Sequence, residues 1–209
     1  MDLREQKQQL RQQALANRAA QDDKDGLSRR ILAQLFALPA YQQARTVMLY
    51  IGIRSEVRTR EHVPEILASG RRVVVPFCQG DELGLFLLRD LDELETSGFG
   101  LSEPPPTMRA HADRRCDVKD LDLVAVPGLA FDRRGARLGH GKAYYDRLLC
   151  HARPDAALLF CDEDKLDPQG ARTRPWFKPA WDAEWIRTTN CVLHFVVVRT
   201  DLLRSLAGL

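Results

Sequence analysis

No charge of one sign dominates this chain. Thirty-one Lys and Arg stand against 29 Asp and Glu, a formal net charge of +2, so no global field draws it to nucleic acid or to an anionic membrane. Any anion must be held locally. Long apolar runs are also missing: none approaches the roughly 18 residues needed to span a bilayer, and the opening MDLREQKQQLRQQ is too polar for a signal peptide. Cysteine is sparse. Cys78, Cys116, Cys150, Cys161 and Cys191 are widely spaced, odd in number and form no CxxC pair, which argues against a thiolate zinc site or a thiol-exchange motif. They are expected to be reduced thiols of a cytoplasmic protein. Internal repeats and low-complexity tails are absent. What remains is a chain of 209 residues, 44% hydrophobic, expected to form a single domain over 1–209 around one sizeable core.

Strong helix formers fill residues 2 to 20, QDDKDG interrupts them, and a second amphipathic segment, LSRRILAQLFAL, ends at Pro39. Short β-branched runs follow at 46 to 52, 71 to 77, 121 to 128, 156 to 161 and 192 to 198, bounded by Pro, Gly or charge. Several are apolar at both parities, which suits a sheet covered on both faces. Helices are expected between them, at about 59 to 69 with Gly70 as its cap and from Gly141 to about 152. This alternation predicts an α/β fold, a mostly parallel, Rossmann-like sheet flanked by helices on both faces and preceded by N-terminal helices. LSEPPPTM and DPQGARTRPWFKPAW read as loops, the second long enough for a lid or an insertion.

Ligands in open α/β sheets bind beyond the carboxyl ends of the strands, and LDLVAVPG leads from such an end into LAFDRRGARLGHGKAYYDRLL. Gly139 and Gly141 would let backbone approach a phosphate, the N–H groups of a helix starting near Gly141 would point at it, and Lys142 would add a full charge. The stretch is not a Walker A loop: Ala136 stands where the first glycine belongs, and Ala143 replaces the Ser or Thr that would hold Mg²⁺. Asp146, one turn after Lys142, could place a carboxylate beside a phosphate-bound metal or simply make an i,i+4 ion pair. Local features leave a phosphate cradle and an ordinary turn both open.

A second cluster bears on that choice. On a 3.6-residue helix Lys7, Arg11 and Arg18 fall within about 40° of one another, and Leu3, Leu10 and Ala14 lie on the adjoining stripe, predicted to be buried. Three cations beside a buried face suit phosphate clamping, although pairing with acids elsewhere is the alternative. IGIRSEVRTREH also follows a strand; Glu56 there could accept from an N–H-rich ring and Thr59 could cap the next helix. Of Tyr144 and Tyr145, neighbours on a helix, at most one is expected to stack on a heterocycle in the site.

Taken together, KQQLR, YIGIRSEVRT and above all VPGLAFDRRGARLGHGKAYYDRLL resemble the 5-formyltetrahydrofolate cyclo-ligase family, also called 5,10-methenyltetrahydrofolate synthetase. The likeness is firm over 121 to 147, fair over 4 to 20 and 45 to 77, and weak from Cys161 to Ala180, after which AWDAEWIRTT looks like the family's closing motif. Ala143 stands where the family usually has glycine, His140 occupies a position often filled by Tyr or Arg, and CDEDKLDPQG replaces a segment that usually carries a glutamine.

The resemblance implies a cytoplasmic enzyme that converts 5-formyltetrahydrofolate and ATP, with Mg²⁺, to 5,10-methenyltetrahydrofolate, ADP and phosphate through a phosphorylated formyl intermediate. It implies that Lys7 and Arg11 hold ATP phosphates, that Glu56 contacts folate, and that Arg137, Leu138, Gly139, His140, Gly141, Lys142, Ala143, Tyr144, Tyr145 and Asp146 form the nucleotide loop. Lys142 and Arg137 are the expected catalytic residues, Tyr144 a further substrate contact, and Asp146 and Asp182 the metal-associated carboxylates. The expected partner is a small molecule, 5-formyltetrahydrofolate with or without a polyglutamate tail, bound by a monomer, with no nucleic acid and no membrane. The competing readings are a non-catalytic nucleotide- or RNA-binding relative without a folate pocket, and a sugar-phosphate isomerase or acyl transferase on a similar scaffold.

Overall fold

The structure, a computed structural model, describes residues 3–97, 100–131, 137–153, 156–161 and 195–199. Three helices come first: α1 (Leu3–Ala19), α2 (Lys24–Ala37) and α3 (Pro39–Gln43). The break between α1 and α2 is a cap, with the Asp23 carboxylate accepting from the Gly26 amide at 2.8 Å. A side chain at Gly26 would collide with that carboxylate, whose Oδ2 lies 2.0 Å from the Cβ position. Pro39 then starts α3 at its first position, where its missing N–H is no loss.

The remaining elements alternate. They are β1 (Thr46–Met48), α4 (Val63–Ala68), β2 (Arg72–Gln79), β3 (Glu82–Leu88), β4 (Glu95–Thr96), β5 (Ser102–Glu103) and α5 (Pro106–Arg109). After these come β6 (Leu123–Pro127), β7 (Ala130–Phe131), β8 (Arg137–Leu138), α6 (Tyr144–Leu149), β9 (Ala157–Cys161) and β10 (Phe195–Arg199). The main sheet runs β10-β9-β6-β1-β2-β3. Its four inner strands are parallel, and the two edge strands, β3 on β2 and β10 on β9, are antiparallel. The expected α/β class is thus realised as a mostly parallel sheet.

Both parities of the apolar runs are used. Val47, Val73, Val75, Leu123 and Ala125 face one side, where Leu32, Leu35, Tyr41, Val63 and Ile66 from α2, α3 and α4 cover them. Met48, Val74, Val124 and Val126 face the other, with Leu149 and half-buried Leu148 and Tyr145 of α6. Burying each such side chain contributes about 1.5–3 kcal/mol, and burial on both faces is what fixes these strands at the centre of the sheet.

Four local expectations change, the first being the LSEPPPTM loop, which holds β5 and most of α5. Strand β3 was not predicted, because its burial alternates only weakly and it begins directly after a hairpin turn at Gly80, where φ is +62°. The helix expected from 59 to 69 is a 3₁₀ turn at Arg60–His62 followed by α4. The helix expected from Gly141 starts three residues later, at Tyr144, since Gly141 (φ 92) and Ala143 (φ 54) are both left-handed. No described helix is long and apolar enough to cross a membrane.

Candidate functional site

Strand β1 pairs with β2, the next long strand in the chain, on one side and with β6, from far along it, on the other. The loops leaving β1 and β6 therefore diverge, and the crevice between them is where an open α/β sheet receives its ligand.

The loop after β1 is tightly folded. Gly52 has no room for a side chain, because the Val57 carbonyl oxygen stands 1.9 Å from where a Cβ would be. Thr59, buried, does not cap a helix as expected. Its hydroxyl donates to the Tyr50 carbonyl at 2.5 Å and accepts from the Gly52 amide at 3.0 Å, stapling the loop to the strand end. Glu56 closes the same turn by accepting the Ile53 amide at 3.0 Å. From α2, Ser28 Oγ accepts the Arg58 amide at 3.0 Å and Asp25 pairs with the Arg58 guanidinium. A carboxylate is thus held, 9% exposed, at a strand end. Burial pushes the Glu56 carboxyl up from its usual range, opposed by the Ile53 amide and by the guanidiniums of Arg18 and Arg54.

The loop after β6 carries the GHGK stretch. Arg137 is its anchor: its guanidinium donates to the Pro127 carbonyl at 3.0 Å and to Asp146 Oδ1 at 2.6 Å, and lies 5.9 Å from the Tyr145 ring centroid. The Leu129 amide donates to the Leu138 carbonyl at 2.8 Å, which closes the small β7–β8 ribbon. Arg11 Nε donates to the Gly139 carbonyl at 3.0 Å, and its guanidinium passes 3.2 Å from the Cβ position of Gly141. Arg11 thus meets the backbone on both sides of His140, and Arg137 Nη1 lies 2.8 Å from the Cβ position of Gly139.

His140 is solvent-exposed, yet partial desolvation and then the guanidiniums of Arg18, Arg11, Arg137 and Arg54 hold it below its ordinary pKa. The positive field of these guanidiniums at the loop after β6 favours an anion there. Tyr145 projects from α6 toward the opposite loop. Burial pushes its hydroxyl up, reinforced by Glu56 and opposed by Arg137, so it stays a protonated donor near the buried carboxylate. Tyr144 goes elsewhere: its hydroxyl donates to the Gly80 carbonyl at 3.1 Å at the β2–β3 hairpin tip.

The expected residues are therefore brought together unevenly. Arg11, Arg137, Gly139, His140, Gly141, Tyr145 and Glu56 converge on the crevice, and Asp146 is tied to Arg137. Lys142 and Ala143 are exposed on the approach to α6, Leu138 is half-buried in β8, and Lys7 is exposed on α1. The inward face of α1 is not the leucine stripe. Leu10 is 53% exposed, and Arg11, Ala14, Asn17 and Arg18 turn inward instead, because the helix rests on loops whose carbonyls need donors. Asp182 lies outside the described residues. Among the described residues no group of three or more His, Cys, Asp and Glu could hold a metal; Asp146 offers one carboxylate, 64% exposed, at the edge of the cationic cluster. That fits a Mg²⁺ carried mainly by phosphate oxygens and water, which needs one or two protein carboxylates. Two contributors escaped the sequence reading. Arg54 and Ser55 sit in the IGIRSE stretch, and the signal for them was that stretch's place at a strand end.

A family model described as the 5-formyltetrahydrofolate cyclo-ligase family matches residues 3–160. The 5-formyltetrahydrofolate cyclo-ligase of Mycolicibacterium smegmatis is 32% identical over 77% of this chain and 84% of its own. The probable 5-formyltetrahydrofolate cyclo-ligase of Schizosaccharomyces pombe is 34% identical over 60% of this chain, a match that spans 61% of the yeast protein. Among solved structures, the 5,10-methenyltetrahydrofolate synthetase of Aquifex aeolicus superposes with a TM-score of 0.61 at 30% identity, covering 84% of each chain. With the family match running from α1 to the penultimate residue of β9, and so through both loops of the crevice, this chain belongs to the 5-formyltetrahydrofolate cyclo-ligase family.

Proposed function

We propose that this chain closes the ring of 5-formyltetrahydrofolate to 5,10-methenyltetrahydrofolate at the expense of ATP, in the presence of Mg²⁺. The observation that carries the reading is the pair of guanidiniums, Arg11 and Arg137, braced on backbone carbonyls of the loop after β6, with the buried carboxylate of Glu56 in the loop after β1. A polyphosphate suits the first and an N–H-rich heterocycle the second.

A formyl amide oxygen is a weak nucleophile, so its attack on the γ-phosphorus depends on cations that spread charge in the transition state. Arg11 and Arg137, each braced on a backbone carbonyl, hold the phosphates with Lys142 and Lys7 at the entrance. Mg²⁺, when bound, neutralises phosphate charge, and Asp146, with Asp182 as its proposed partner, would hold it. Glu56 accepts from the ring of the folate and Tyr145 donates beside it. The phosphorylated oxygen then leaves as N10 closes on the carbon. Both groups belong to bound ligands, so the chain's contribution is position and field, with no covalent nucleophile. The reading extends to a cytoplasmic monomer acting on a free or polyglutamylated folate.

Purified protein mixed with Mg·ATP and 5-formyltetrahydrofolate is expected to give an ATP-dependent rise in near-ultraviolet absorbance from the methenyl product. No rise would sink the proposal, and salt-dependent RNA binding in its place would favour a non-catalytic relative.

A further inference from the structure

Arg18 lies where the two strand-end loops face each other. It projects from α1, is 9% exposed, and its Nε donates to Ser55 Oγ at 3.0 Å while Nη1 donates to the Gly128 carbonyl at 3.3 Å. Ser55 immediately precedes the buried Glu56, and Gly128 is the first residue past β6. One rigid guanidinium therefore ties the loop that carries the carboxylate to the loop that carries GHGK. Its charge acts on both sides as well, favouring the anion of Glu56 and disfavouring protonation of His140. Glu56 is faced by Arg18 from α1, by Arg54 and the Ile53 amide from its own loop, and by Tyr145 from α6. Lysine could supply the charge but not two divergent donors in one plane.

We propose that Arg18 is a positioning residue that couples the two halves of the crevice, so that a polyphosphate held on the Gly128 side raises the affinity of the Glu56 side for its heterocycle. A ligand that fixes the GHGK loop fixes Gly128, through it the guanidinium, and through Ser55 the turn that aims Glu56. The second ligand then meets a loop already set, and linkage requires the effect to be reciprocal. The inference takes its two ligands from the activity proposed above.

The test is calorimetric titration of the full chain with 5-formyltetrahydrofolate, alone and with saturating Mg²⁺ and a non-hydrolysable ATP analogue. In the wild type the analogue is expected to tighten folate binding by about fivefold or more. Arg18→Lys and Ser55→Ala are expected to bring that factor below about twofold while each ligand alone still binds. The acid limb of kcat/KM for folate separates charge from geometry. It stays in place in Arg18→Lys and moves to higher pH in Arg18→Gln, where Glu56 loses a cation. Ser55→Ala leaves the buried charge untouched, so it carries the test if Arg18→Gln does not fold. A wild-type factor of one, or variants that keep the wild-type factor, overturns the coupling. A wild type that binds neither ligand and makes no methenyl product overturns the activity instead.

Discussion

Replacing Ala143 with glycine tests the backbone on which the GHGK loop enters α6. Ala143 has φ 54 and ψ 20, a left-handed conformation in which an L-residue's Cβ crowds a carbonyl oxygen at about 1–2 kcal/mol. Glycine removes that crowding, but it also widens the unfolded ensemble, which opposes the gain by about 0.4–1 kcal/mol. The difference is a net stabilisation of about 0.5–1 kcal/mol. Nothing else changes sign: Ala143 is exposed, so its methyl leaves no cavity, and the 3.0 Å bond from the Arg147 amide to its carbonyl is backbone to backbone. At about 2–4 °C per kcal/mol for a chain of this size, Tm should rise by about 1–4 °C. Urea and thermal unfolding followed by circular dichroism read this directly, with Ala143→Val as the opposing control, since a β-branched residue is less tolerant of positive φ. A glycine variant no more stable than wild type, together with a valine variant that loses nothing, would refute the left-handed assignment.

Lys142→Ala should lower kcat/KM for ATP by the equivalent of about 2–4 kcal/mol with an unchanged circular dichroism spectrum, because the side chain is exposed beside the cationic cluster; unchanged kinetics would make GHGK only a turn. Glu56→Gln should weaken folate binding by tenfold or more, a charged hydrogen bond being worth about 1.5–3 kcal/mol, with a smaller effect on ATP. The same variant should melt higher than wild type without ligand at neutral pH, since a carboxyl whose folded pKa is raised costs stability above that pKa; a lower melting point would contradict the burial argument. Asp122 accepts the Arg45 and Thr46 amides at 2.9 Å each and the Arg153 guanidinium at 2.9 Å. Burial opposes its ionisation, but these partners outweigh it and hold the carboxyl low. Asp122→Asn should therefore lose about 1–3 kcal/mol at neutral pH. That deficit should shrink as pH falls below about 4, through the folded pKa; a pH-independent deficit would contradict the linkage. Asp146→Asn should raise the Mg²⁺ concentration for half-maximal rate without unfolding the chain, and an unchanged metal requirement would remove Asp146 from the metal site.

The central strands and their burial on both faces could be read from the sequence because an apolar run at both parities has few other uses: Val73, Val74 and Val75 must each find cover. The position of the GHGK stretch was equally legible, since Gly139, Gly141 and Lys142 follow a buried strand, the place where such sheets bind ligands. Strand β3 was not, because an edge strand paired through a tight turn carries little periodicity of its own. The face of α1 was misread for a physical reason. A helix resting on loop carbonyls gains more from Arg11 and Arg18 as donors than from burying Leu10, and no window of helix sequence contains the loops 37 to 128 residues away that make this so. The sequence alone determined which strands lie in the core and which residue types reach the crevice. Only the tertiary structure decided that Arg18 spans its two sides, that Tyr145 rather than Tyr144 lies on the Glu56 side, and that Arg11 of α1 reaches the backbone beside His140, because each depends on contacts between elements that local pattern does not encode.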